Sequence, residues 1–298
     1  MSIQFCGACF NAVFFASNGV FGLSKRKGGE GLLSLSRTEF EEIRALVHKV
    51  SGINLHQGKE ELVKARLAKR LRALNINSFS EYLSYIKHKK EELAAMVEAL
   101  TTNKTNFFRE PQHFEFLRKE IIPKLRGKEM RIWSAGCSSG EEPYSIAMLL
   151  LDELTNEEIK EVRILATDIS ERVLAKARSA TYHQYELDGV PPQMLQKHFI
   201  CIDPKPPRTY QLSERVTSLV RIARLNLMDH WPMRGGFDLI FCRNVMIYFD
   251  KNTQRELVNR FWEILKPGGY LFVGHSESLA AASHPFKYLR PAVYIKQV

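Results

Sequence analysis

Residues Arg131 to Ile146, RIWSAGCSSGEEPYSI, read as strand, tight glycine turn and helix, and this one unit most narrows the folds open to the chain. Arg131 to Ala135 carry the β-branched and aromatic side chains of a short strand, and Gly136 and Gly140 bracket the turn. Glu141, Glu142 and Pro143 then open a helix. Such a unit belongs to an open α/β sheet, where ligands bind beyond the carboxyl ends of the strands. The spacing is Gly-x-x-x-Gly, short of the three-glycine dinucleotide fingerprint, so the motif alone is a weak signal.

Charge sharpens it. A pyrophosphate would sit on a helix N-terminus, and here that position carries two glutamates, so a cationic or polyhydroxyl ligand fits better. The second strand, Val162 to Thr167, ends in Asp168, an acid where nucleoside sites hold a ribose diol. The pairing suggests a nucleoside without phosphates. S-adenosylmethionine, with a ribose, an adenine, a sulfonium and an ammonium, meets these demands. The plain alternative is an α/β turn in which Glu141 and Asp168 are helix caps.

With 298 residues, 45% hydrophobic and 26% charged, the chain is globular and can form one large domain or one medium and one small domain. A formal net charge of +10 implies an acidic partner without choosing among nucleic acid, membrane surface and protein. Five scattered cysteines, Cys6, Cys9, Cys137, Cys201 and Cys242, form no disulfide framework, which favours a reducing compartment. Residues 1–24 have no charged side chain, but their glycines and asparagines make a poor membrane anchor, and residues 1–33 are expected to be a disordered extension.

Residues 34–112 have a helical pattern and form a small all-helical domain. Its clearest helix runs from Lys59 to Leu74, with Val63, Leu67, Leu71 and Leu74 on one face. Lys59, Arg66, Lys69, Arg70 and Arg72 spread round the rest, suggesting a partner-binding face. Thr101 to Pro111, TTNKTNFFREP, is too dense in polar and aromatic side chains for a plain linker. From residue 113 to 298 the pattern is α/β. A helix is expected at Phe114 to Leu125, another at Glu171 to Arg178, a turn at Thr181 to Gln184 and a small antiparallel insertion at about 199–220. FDLIFC, Phe237 to Cys242, reads as a buried parallel strand, followed by Arg243, Asn244 and Tyr248. A helix at Thr253 to Leu265, a strand at Tyr270 to Gly274 and a terminal hairpin from Tyr288 complete the chain.

Together TTNKTNFFRE, WSAGCSSGEEPYS, ATDIS, FDLIFCRNVMIYF and LKPGGYLFVGHSES resemble the chemotaxis receptor methyltransferases of the CheR type, over nearly everything from Ser34 onward. The resemblance implies a doubly wound, Rossmann-like methyltransferase sheet with the helical domain in front and the small β insertion within. It implies cytoplasmic, S-adenosylmethionine-dependent methylation of receptor glutamates, giving methyl esters and S-adenosylhomocysteine. The expected enzyme is a monomer, with no metal, no nucleic acid and no membrane insertion.

Carried over residue by residue, the resemblance implies that Asn103, Thr105 and Arg109 close over the cofactor and that Glu141 lies at its methionine end. Asp168 would hold the ribose, Asn226 and Leu227 would flank the adenine, and Cys242, Arg243 and Asn244 would lie along the cofactor. Arg109 and Tyr248 would stand closest to the transferring methyl. Arg66, Lys69, Arg70 and Arg72 would read the cytoplasmic helices of the receptor. The insertion's turn, DPKPPRT, lacks glycine, so the receptor-tail tether of some relatives is not expected. Two rivals are a nucleic-acid methyltransferase, suggested by the positive charge, and a non-catalytic S-adenosylmethionine sensor.

Overall fold

The computed structural model describes residues 33–279 and 284–297, so the expected extension lies outside the described residues but for Leu33. Four helices come first. Ser36 and Glu39 form a reciprocal capping box that starts α1, Arg37–Ser51, and Gly52 in the left-handed region ends it. Helices α2, Glu60–Ala73, α3, Phe79–Ile86, and α4, Lys90–Leu100, follow. Their apolar stripes close on one another around Phe40, Ile43, Val63, Leu67, Leu71, Phe79 and Tyr82. Val63, Leu67 and Leu71 are buried as their spacing predicts, with Leu74 partly so.

The next helix begins at Pro111, three residues before its expected start at Phe114. It runs as α5, Pro111–Phe116, a π turn, Leu117–Ile121, and α6, Ile122–Leu125. Pro123, which has no N–H to donate, lies just beyond the widened turn. The sheet domain continues with β1, Met130–Ala135, α7, Glu141–Glu153, α8, Asn156–Ile159, β2, Val162–Asp168, and α9, Glu171–Ser179. Then come β3, Thr181–His183, α10, Pro192–His198, β4, Phe199–Asp203, β5, Thr209–Leu212, α11, Glu214–Thr217, and β6, Val220–Arg224. The last elements are β7, Phe237–Cys242, α12, Lys251–Ile264, β8, Leu265–Val273, β9, Lys287–Arg290, and β10, Val293–Ile295.

The large sheet has the order β6-β2-β1-β7-β8-β10-β9. Its first five strands are parallel, β10 runs antiparallel to β8, and β9 pairs antiparallel with β10 as the expected terminal hairpin. Strand order reverses between β1 and β7, so the ends of β1, β2 and β7 open onto one crevice. Alternation sends Ile132, Leu239, Phe241 and Phe272 to one face with α7, while Trp133, Ile240, Leu271 and Val273 pack with α12 on the other.

The small sheet is β3-β5-β4, antiparallel throughout. One boundary differs from expectation. Thr181–His183 is a strand and not a turn, because Tyr182 is pulled into the core edge-on to Phe107 at 4.9 Å. The segment from Val220 belongs to the large sheet as its edge strand, pairing with β2.

The helical part is fixed to the sheet part by specific bonds. Glu98 of α4 accepts from Ser170 Oγ at 2.7 Å and Arg172 N at 3.0 Å, adding an interdomain cap to α9. Beyond α1, Ile53 forms an antiparallel bridge with Phe249, and Asn54 N donates to Tyr248 O at 2.7 Å. Asn226 Nδ2 donates to Val50 O, also at 2.7 Å. Among the described residues, no helix is long and apolar enough to cross a membrane.

Candidate active site

The crevice at the sheet's reversal is roofed by the Thr101–Arg109 segment and holds about 1000 Å³ of empty space counted out to its mouth. Its floor starts at Gly136, whose φ is +87°, and where an added Cβ would lie 2.4 Å from Val245 Cγ2. Only glycine satisfies both demands. Ser138 follows with φ +49°, a conformation that turns its N–H toward Asp168 Oδ2 at 2.9 Å. Ser170 N donates to the other oxygen at 3.0 Å. Asp168 is 8% exposed, and burial pushes its pKa up while these N–H groups pull it down. A carboxylate has about four acceptor positions, so each oxygen keeps one for a diol.

In the roof, Asn103, Thr105 and Arg109 all line the cleft. Phe107 anchors the segment between Tyr182 and Phe199, and Phe108 N donates to Ser145 Oγ at 2.9 Å. Asn103 O accepts from Ser138 Oγ at 2.9 Å, yet its Nδ2 is buried without a partner. Leaving such a donor unpaired costs roughly 1–3 kcal/mol. Arg109 Nη1 donates to Lys104 O at 3.0 Å.

Arg243 ties the far wall together. Its side chain is buried, donating to Glu142 Oε2 at 3.1 Å, Glu110 Oε2 at 3.0 Å and the carbonyl of Arg109. Burial drives the Glu142 pKa upward, with Arg243 working against it. Glu110, His113 and His275 bring ligand atoms within 4.8 Å of one another. Arg243 and His275 N already occupy Glu110, and the guanidinium supplies the positive charge there.

Asn226, Leu227, Arg243, Asn244 and Tyr248 line the cleft together with Asp168. Two expected cofactor residues do not. Glu141 is buried off the wall, its oxygens accepting from Ser139 Oγ at 2.9 and 2.7 Å, and Glu142 lines the cleft in its place. Successive helical residues point about 100° apart, and the rotation of α7 here turns Glu142, not Glu141, to the cleft. Cys242 is wholly buried at the end of β7. Sequence reasoning missed Glu142, Glu110 and Ser138; the paired glutamates were the available signal for the first.

The basic face of α2 also divides. Arg66 donates to Leu100 O at 2.7 Å, Thr101 O at 2.9 Å and Thr102 Oγ1 at 3.1 Å, bracing the start of the roof. Arg70 is paired with the buried Glu92 at 3.0 and 2.5 Å, and Tyr82 OH donates to that carboxylate at 2.8 Å. These two arginines are half-exposed and also brace their own domain, Arg70 keeping 34% of its side chain exposed. Lys69 and Arg72 are exposed. Helical spacing shows which residues share a face but not which partners α4 brings to it.

Comparison with known proteins agrees with this geometry. The family described as "CheR methyltransferase, SAM binding domain" matches residues 103–295, and "CheR methyltransferase, all-alpha domain" matches residues 38–101. A "Probable chemotaxis protein methyltransferase" of Rhizobium etli is 40% identical over 257 residues, covering 84% of this chain and 96% of the relative. The "Chemotaxis protein methyltransferase" of Escherichia coli is 40% identical over 265 residues, 88% of this chain and 92% of its own. That of Borreliella burgdorferi is 39% identical over 276 residues, 89% and 96%. With a nucleoside-sized cleft at the sheet's reversal and both family domains matched in order, the chain belongs to the CheR methyltransferase family.

Proposed function

We propose that this chain methylates glutamate side chains on the cytoplasmic helices of chemotaxis receptors, forming methyl esters and S-adenosylhomocysteine in the cytoplasm. The observation that carries the reading is that Asp168, the unpartnered Asn103, Arg109 and Tyr248 line one cleft in a chain of this family. When bound, S-adenosylmethionine supplies a methyl carbon made electrophilic by a positive sulfur. Asp168 accepts the ribose hydroxyls, Asn226 and Leu227 border the base, and Asn103 Nδ2 donates to a cofactor acceptor. Asn103, Thr105, Arg243 and Asn244 enclose the cofactor with Glu142.

No side chain has to remove a proton, because a glutamate with an ordinary pKa near 4.3 is already ionised at neutral pH. The task of the site is alignment. Arg109 pairs with the substrate carboxylate and Tyr248 donates a hydrogen bond to it, holding the attacking oxygen in line. Such positioning contributes roughly 7–11 kcal/mol in well-oriented reactions. Lys69 and Arg72 remain as the exposed part of the α2 face that would meet an acidic receptor helix.

Offering receptor-enriched membranes, tRNA and duplex DNA together with methyl-labelled S-adenosylmethionine tests the acceptor class. Label is expected in receptor protein. Label confined to nucleic acid would overturn the reading, and binding without any transfer would make the protein a sensor.

A further inference from the structure

Glu277 lies beyond β8 and does not line the cleft, yet its carboxylate is 7% exposed and fully engaged by main chain. Oε2 accepts from Asn244 N at 2.8 Å and from Gly274 N at 2.6 Å, while Oε1 accepts from Ile247 N at 3.1 Å. Two of these donors belong to the loop of residues 243–250 between β7 and α12, which carries Asn244 and Tyr248. That loop is an unusual conformation to hold. Asn244 has φ +59°, which a residue with a side chain adopts at a cost, and Met246–Tyr248 is a single 3₁₀ turn.

On its other side the loop is held by Asn54 N, which donates to Tyr248 O, and by the bridge from Ile53 to Phe249. Strand β8 presses on it as well, since a Cβ on Gly274 would stand 2.5 Å from Asn244 Nδ2. A carboxylate taken from water and given three N–H partners stabilises one geometry of that loop over its alternatives, as such bonds are strong and directional. We infer that Glu277 is a positioning residue for methyl transfer, fixing through the backbone of Asn244 and Ile247 where Tyr248 stands in the cleft. This rests on the proposed role of Tyr248.

The test is a double-mutant cycle on the full chain, with kcat, the receptor KM, S-adenosylhomocysteine affinity and melting temperature measured for Glu277→Gln, Tyr248→Phe and the pair. Glutamine keeps one oxygen for Asn244 N and Gly274 N but turns an amide NH₂ toward Ile247 N. Misplacing a catalytic group by an ångström costs up to about 100-fold, so kcat is expected to fall roughly 10- to 100-fold with the receptor KM little changed. Adding Tyr248→Phe is expected to lower kcat no further than the worse single variant.

Multiplied losses in the double variant would overturn the inference while leaving Tyr248 its role. Unchanged kcat in folded Glu277→Gln would do the same. Unchanged kcat in Tyr248→Phe would remove the underlying reading, and the inference with it. Gly274→Ala keeps the carboxylate but crowds Asn244, one of its donors, and serves if Glu277→Gln does not fold. It should lower kcat in the same non-additive way with Tyr248→Phe, and full additivity there would count against the inference.

Discussion

At Asp168, two backbone N–H groups at 2.9 and 3.0 Å fix both carboxylate oxygens before any ligand arrives. Asp168→Ala removes both acceptors for the ribose diol, and bonds to a charged group are worth roughly 1.5–3 kcal/mol, so S-adenosylhomocysteine should bind roughly 10- to 150-fold more weakly by calorimetry. An unchanged dissociation constant in the folded variant would mean that the ribose lies elsewhere. This residue was legible because an acid ending the second strand has one obvious use in such a sheet. Glu142 was not, since choosing between it and Glu141 depends on the helix's rotation about its axis. His113 gives a second test. Burial, aided by the Arg243 guanidinium, pushes its pKa down to about 3 from an ordinary 6.5. The unfolded chain takes up this proton as pH falls through about 6.5, whereas the fold does not until about 3. Stability is therefore whole above about pH 6.5 and lost on acidification, by up to about 1.4 kcal/mol per pH unit for this one group. His113→Phe should flatten the slope between pH 7 and 5 in urea denaturation, and an unchanged slope would show that His113 does not set it.

Helix α2 shows how one element serves two ends. Its apolar stripe and its basic content were both plain in the sequence, but Arg66 and Arg70 meet partners 22 to 36 residues away, beyond the reach of helical spacing. Reversing Lys69 and Arg72 to glutamate should lower the specificity constant for receptor and leave S-adenosylhomocysteine affinity intact. Arg66→Ala should instead weaken cofactor binding, because it releases the carbonyls of Leu100 and Thr101 two residues before Asn103. Equal effects of both changes on receptor and cofactor would contradict this division. The three-residue strand β3 escaped notice for a related reason: its pairing depends on Tyr182 meeting Phe107, and no local alternation announces it. Strand β7 was readable because burial on both faces makes it a nearly continuous apolar run, and β1 by its β-branched and aromatic residues.

Across the whole molecule, sheet and helical domain share the cleft. The doubly wound fold and the roof segment came from the resemblance that the sequence motifs carry. The seating of the helices did not, resting on contacts such as Asn226 Nδ2 to Val50 O, between residues 176 positions apart. That seating puts Asp168 and Arg243 from the sheet under Asn103 and Arg109 from the connecting segment, all lining one cleft. The chemical bond formed is the most direct check. Receptor protein labelled from methyl-labelled S-adenosylmethionine should be treated with mild alkali and the volatile product identified. A carboxyl methyl ester releases its label as methanol, which is the result expected here, and label that stays on the protein through alkali would contradict glutamate as the acceptor.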